Sequence, residues 1–114
     1  MIDDYEAFRQ KYKTMKSQVE YVLKNYPSTR ESDELLWWMV FKTFYGDLAK
    51  ELGKYMSRGY VPKELLDKIP KFETVTRIRR KLNEQGLYLP RNPEVLERRR
   101  KAEKHWRRLM VEEG

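Results

Sequence analysis

Phe72-Glu73-Thr74-Val75-Thr76-Arg77-Ile78-Arg79-Arg80-Lys81-Leu82-Asn83-Glu84-Gln85-Gly86 reads as one helix of about three and a half turns, closed by a glycine. Val75, Ile78 and Leu82 fall at i, i+3 and i+7, the period of a single buried face. At about 100° per residue, the opposite face carries Thr76, Arg77, Arg80, Lys81, Asn83 and Glu84. A nucleic-acid-reading helix needs this division. The apolar seam docks it, Arg and Lys cancel phosphate charge, and Arg and Asn make paired hydrogen bonds to base edges. An ordinary solvated surface helix has the same pattern, so the flanking chain has to decide between them.

Just upstream, Lys63-Glu64-Leu65-Leu66-Asp67-Lys68 predicts a short helix with Leu65, Leu66 and Ile69 facing inward, closed by Pro70. A short helix, a tight turn at Ile69–Lys71 and a basic helix follow the plan of a helix-turn-helix, here residues 63–85. Two details depart from that plan. Pro70 stands where many such turns have glycine, and the first helix is only about two turns long.

The N-terminal part predicts a first helix over 3–25, from Tyr5, Phe8, Tyr12, Met15, Val19, Val22 and Leu23 at three- and four-residue steps. Asp3 and Asp4 suit its start, where the helix dipole favours negative charge. Pro27 ends it by forcing Tyr26 out of helical geometry. A second helix, about 33–45, carries the nearly unbroken apolar run Leu35-Leu36-Trp37-Trp38-Met39-Val40-Phe41. A helix apolar on most sides is buried, so this is the expected core helix, with both tryptophans packing rather than stacking on bases. Gly46 breaks it, Asp47 caps the next, and Leu48, Leu52, Tyr55 and Met56 give a third amphipathic helix over 48–57.

Beyond Gly86, Leu87-Tyr88-Leu89-Pro90 reads as an extended connector, since no alternating strand partner is present. Asn92 caps a last helix, with Pro93 at its first position, running to about Glu112. Val95, Ala102, Trp106 and Leu109–Met110 form its apolar seam. Around that seam stand Arg98, Arg99, Arg100, Lys101, Lys104, Arg107 and Arg108. Four successive cations at 98–101 point around the whole circumference, so they cannot all be buried. The expected architecture is therefore all-α, about six helices in a single helical domain. It divides into a near-neutral body (1–62), a helix-turn-helix-like unit (63–90) and a basic C-terminal helix (91–114).

Charge sharpens this division. Of 114 residues, 25 are Lys or Arg and 18 are Asp or Glu, a net of +7. Residues 71–108 hold 13 of the cations against 5 glutamates, and the rest of the chain is close to neutral. A basic block on a neutral body points to a polyanionic partner. The bland reading is a solvated charge face. Mean hydropathy is −0.94, yet 13% of residues are aromatic, which argues against disorder.

The chain has no cysteine, which removes disulfides, thiol catalysis and the usual zinc sites. It has one histidine, His105, without an evident positioned partner, and neither a phosphate-cradling glycine loop nor a zinc-protease motif. The expectation is a protein that is not an enzyme and uses no cofactor or metal. With no membrane-length apolar run and an acidic start, it is expected in the cytoplasm.

One set of residues carries a family resemblance. These are Tyr26-Pro27 with Thr29-Arg30, Asp33 and Leu35-Leu36-Trp37, then Pro70 and Glu73–Leu82, then Asn92-Pro93-Glu94-Val95 and the Arg-rich run. In this order they resemble small phage and prophage-encoded helical proteins of uncharacterised function, a group credited with a helix-turn-helix. The resemblance implies a viral or mobile-element origin, residence in the host cytoplasm and a regulatory or accessory role.

The expected function is duplex DNA binding. Thr76, Arg77, Arg80 and Asn83 would face the groove, and Lys71, Lys81 and the Arg98–Lys101 cluster would hold phosphates. Lys104, Arg107 and Arg108 would extend that basic surface. The alternative is a protein-interaction or assembly module, with a homo-oligomer pairing through Val95, Ala102, Trp106 and Leu109. RNA binding by the same basic block is a third reading.

Overall fold

The computed structural model describes residues 4–113, with side chains for all of these except 103 and 106–113. Six α-helices follow one another: α1 (Tyr5–Lys11), α2 (Met15–Asn25), α3 (Asp33–Ser57), α4 (Lys63–Lys68), α5 (Phe72–Glu84) and α6 (Pro93–Glu113). A 3-10 turn, Pro27–Arg30, links α2 to α3, and no strand occurs among the described residues. The expected all-α class is what is found.

The N-terminal helix is not continuous. It breaks at Tyr12–Thr14, where Tyr12 (φ −115°, ψ 75°) and Thr14 (φ −95°, ψ 151°) leave helical geometry. The cause is local. Thr14 caps α2, its hydroxyl accepting from the Ser17 N–H at 3.1 Å, and such a cap competes with helix continuation. The freed carbonyl of Tyr12 accepts from the Gln18 amide at 3.0 Å. Asp4 caps α1 by accepting from the Ala7 N–H at 3.0 Å.

The break expected at Gly46 is instead a kink. Tyr45 (φ −129°, ψ 24°) departs from helical geometry and the helix resumes at once, giving one bent element of 25 residues. Arg9 donates to the Phe44 carbonyl at 2.8 Å, and the Tyr45 hydroxyl donates to the Gln18 amide oxygen at 2.9 Å. A kink of this kind arises where side chains enter the helical ladder. Asp47 does not open a separate helix; Arg9 holds it through two hydrogen bonds, at 2.8 and 3.0 Å. Gly46 has a specific role, because the Tyr5 ring lies where a Cβ would stand.

The core joins Val19, Val22 and Leu23 of α2, Leu36, Val40 and Phe44 of α3, and Val75 and Leu82 of α5. These three helices pack against one another, and α1 lies on α3. The Phe8 ring stacks on Phe44 with centroids 4.7 Å apart. The apolar run of α3 is only partly covered. Trp37 is half-buried, stacks on Phe41 with centroids 5.5 Å apart and donates from its indole to the Pro70 carbonyl at 2.7 Å. Trp38, expected in the core, is 51% exposed. Three helices cannot enclose the full circumference of α3, so Leu35 and Trp38 remain on its outer side. Leu66 and Met56, expected to face inward, are likewise exposed, whereas Leu65 is buried.

Pro70 thus has a defined place in the α4–α5 turn. It fixes the backbone there, and its buried carbonyl is taken by Trp37. At the other end of α5 the chain closes as a Schellman motif. Leu87 N–H donates to the Leu82 carbonyl at 3.0 Å and Gly86 N–H to Asn83 at 2.9 Å. Gly86 sits at φ +80°, the left-handed region that favours glycine. The connector that follows, expected to be extended, instead bends at Tyr88, which sits at φ +54° in the left-handed region.

Candidate nucleic-acid interface

The buried seam of α5 is Val75, Arg79 and Leu82. Ile78, expected on that seam, is only half-buried, and an arginine occupies the central position. Arg79 donates from Nε and Nη2 to the two carboxylate oxygens of Asp33, each at 3.0 Å. Its Nη1 donates to the Asn83 side-chain oxygen at 3.3 Å. A guanidinium survives burial when it is paired and hydrogen-bonded in this way. The spacing contained the signal: Arg79 lies four residues after Val75 and three before Leu82.

The outer face of α5 then divides. Arg80 and Lys81 are exposed and form no ion pair among the described residues. Arg77 is exposed and lies 3.5 Å from Glu73, one helical turn back. Thr76 is half-buried, its hydroxyl donating to the Glu73 carbonyl at 3.0 Å. Asn83 is engaged in the turn after α5. Its amide donates to the carbonyls of Leu87 at 2.9 Å and Tyr88 at 3.2 Å, while its oxygen accepts from Arg79. Both polar ends of Asn83 therefore hold the fold rather than project from it. Lys71 is exposed at the cap position that opens α5. The main supports of α5 are α2 and α3, with α4 joined to it through the Pro70 turn.

The start of α6 is fastened to the corner that precedes α3. Asn92 accepts from the Glu94 N–H at 2.9 Å, the expected cap. The Glu31 carboxylate accepts from the backbone N–H of Arg91 at 2.6 Å and of Asn92 at 3.3 Å. Val95 is buried against the body, so it is not available to the oligomer seam drawn through Val95, Ala102, Trp106 and Leu109. Ala102 is exposed, and the side chains of Trp106, Arg107, Arg108 and Leu109 lie outside those described.

The basic residues of α6 take distinct positions. Arg98, Lys101 and Lys104 are exposed and unpaired among the described residues. Arg100 is exposed and pairs with Glu97 at 2.9 Å, which holds the Glu97 carboxyl below its ordinary range. Arg99 turns inward. It donates to the Arg30 carbonyl at 2.8 Å and reaches Asp33 at 3.5 Å. Burial, and then the neighbouring Arg79 charge, lowers the Arg99 guanidinium from its ordinary value. It stays cationic, because an arginine titrates far above neutral pH.

A cleft of about 570 Å³ separates α5 from α6, with Phe72, Thr76, Arg79 and Arg80 on one wall and Arg99 and Ala102 on the other. Asp33 and Glu73 also line it. Chemically, this side of the molecule can neutralise anions and donate hydrogen bonds in a planar fork. His105 is exposed, and among the described residues no group of three or more acidic or histidine side chains is disposed to hold a metal ion. No described helix is long and apolar enough to cross a membrane. Comparison of the chain with protein-family models, curated proteins and solved structures returns no match.

Proposed function

We propose that this protein is a non-enzymatic DNA-binding protein whose α5–α6 side meets the phosphates of a duplex. The observation that carries the reading is the set of cations left over after the internal pairs are made. Arg80 and Lys81 on α5, and Arg98, Lys101 and Lys104 on α6, are exposed and unpaired among the described residues. Two adjoining helices thus offer a basic surface on an otherwise near-neutral chain. Phosphate contacts set affinity and register, and Arg77 and Arg80 are the exposed α5 arginines that would reach a base edge, Arg77 by giving up its 3.5 Å contact with Glu73. On this reading the protein would serve as a regulator or accessory factor of the phage kind.

The test is a gel-shift with unselected duplex DNA over a range of salt. Each neutralised phosphate contributes about −0.9 to the log–log slope, so a slope of about −3 or steeper is expected. Arg77→Ala with Arg80→Ala should weaken binding while the circular dichroism spectrum keeps its helical form. No retardation at about 50 mM salt would remove the reading altogether. Unchanged affinity in the double variant would remove α5 from the interface.

A further inference from the structure

The cleft between α5 and α6 is more specific than a basic surface. Two guanidiniums enter it from opposite walls and share one carboxylate. Arg79 takes both oxygens of Asp33 at 3.0 Å, and Arg99 receives only a long contact of 3.5 Å to an oxygen already engaged. The Arg99 side chain is 15% exposed, so solvent does little to screen it. A guanidinium carries five N–H donors. Arg99 makes one short hydrogen bond, to the Arg30 carbonyl at 2.8 Å. Arg80 lines the same cleft and is exposed and unpaired among the described residues. Glu73, which also lines it, is drawn toward Arg77 on the outer face of α5.

Positive charge therefore exceeds negative charge on the lining, and Arg99 keeps donors that only solvent takes. The open volume, about 570 Å³, falls within the roughly 300–1,000 Å³ of small-ligand sites. A tetrahedral oxyanion answers both needs, since it brings charge and several acceptors at once.

We propose that the α5–α6 cleft binds a single phosphate group, held by Arg99 from the α6 wall and Arg80 from the α5 wall. Arg79 and Asp33 act as positioning residues, fixing the two walls in register. The source of the phosphate rests on the DNA-binding reading above, in which it belongs to a nucleic-acid strand. The site itself does not depend on that reading, because free phosphate has the same chemistry.

The experiment follows the arginine Nε–Hε signals of the full chain by NMR during titration with sodium phosphate, against sodium chloride at matched ionic strength. Saturable shifts of the Arg99 and Arg80 signals with phosphate alone are expected. Arg99→Gln should weaken phosphate binding about tenfold or more, as loss of a charged hydrogen bond implies. Arg80→Gln changes an exposed side chain that the fold does not need, and should weaken binding about threefold. Arg58→Gln, on an exposed residue at the end of α3, should change nothing. Equal responses to phosphate and chloride would overturn the site, as would full phosphate affinity in both the Arg99 and Arg80 variants.

A parallel gel-shift separates the two readings. Saturable phosphate binding without DNA retardation keeps the site and removes the strand as its source. DNA retardation without saturable phosphate binding removes the site and keeps the DNA-binding reading.

Discussion

Asp33 and Arg79 stand 46 positions apart in the chain and meet through two hydrogen bonds of 3.0 Å. Asp33 opens α3, where a carboxylate is also favoured by the helix dipole, and Arg79 lies in the buried seam of α5. The pair fastens α5, one of the two helices of the candidate interface, to α3.

Removing the carboxylate strands a buried charge. Asp33→Ala should cost about 2–3 kcal/mol, below the usual range for a fully buried pair because the Asp33 side chain is 25% exposed. Replacing both partners with apolar residues of similar volume should cost less than the single change. Urea unfolding followed by circular dichroism measures both. A single variant as stable as the wild type would show that the pair does not hold α5.

Trp37 and Trp38 should behave differently despite being neighbours. Trp37→Phe removes the only described donor to the buried Pro70 carbonyl and should cost about 1–3 kcal/mol. Trp38→Ala, on a ring that is 51% exposed, should cost less. Thermal or urea midpoints of the two variants settle the order, and the reverse order contradicts the placement of Trp38.

Gly86→Ala should cost about 1–2 kcal/mol through backbone strain alone, since the position lies at φ +80° and space around it is open. Urea midpoints measure the cost. The loss should be the same whether or not phosphate or DNA is present, because no ligand contact changes.

The Arg9–Asp47 pair predicts a pH dependence. The Arg9 hydrogen bond, above all, holds the Asp47 carboxyl below its ordinary value of 3.8. A carboxylate with a lowered folded-state value adds stability that is complete above the unfolded-state value. That stability disappears as pH falls through the folded-state value. Wild type and Asp47→Asn should therefore differ near neutral pH, and the difference should shrink as pH falls below the ordinary carboxylate value. Both side chains are a quarter or more exposed, so the difference should stay under about 1 kcal/mol. Urea midpoints at the two pH values check it.

Helix type and much of the helix placement are legible in the sequence, because the three- and four-residue apolar period is strong in α2, α5 and α6. Caps are legible too, as Asn92 and Gly86 illustrate. Less legible is whether a helix runs on or stops. Thr14 ends a helix inside a periodic pattern because its hydroxyl caps the next one, whereas Gly46 fails to end one because Arg9 and Gln18 support the bend. Burial of Trp38 is misjudged for a different reason. Periodicity says that a face is apolar, and only tertiary packing says whether enough neighbours exist to cover it. At the candidate site the cations are plain in the sequence, but their division is not. Arg79 and Arg99 turn inward because Asp33 lies between them, and Asp33 is 46 and 66 positions away.

The bend at Tyr45 bears on more than the course of α3. At seven residues, α1 is far below the roughly 12–15 needed for a helix to persist alone in water. What keeps it ordered is the elbow: Arg9 on the Phe44 carbonyl, Phe8 on the Phe44 ring, and Tyr5 against Gly46. The elbow in turn is held by Arg9 of α1 together with Gln18 of α2. The short helix therefore depends on the bend more than the bend depends on the helix. A chain cut after Lys13 would lose seven helical residues and leave the bend to Gln18 alone.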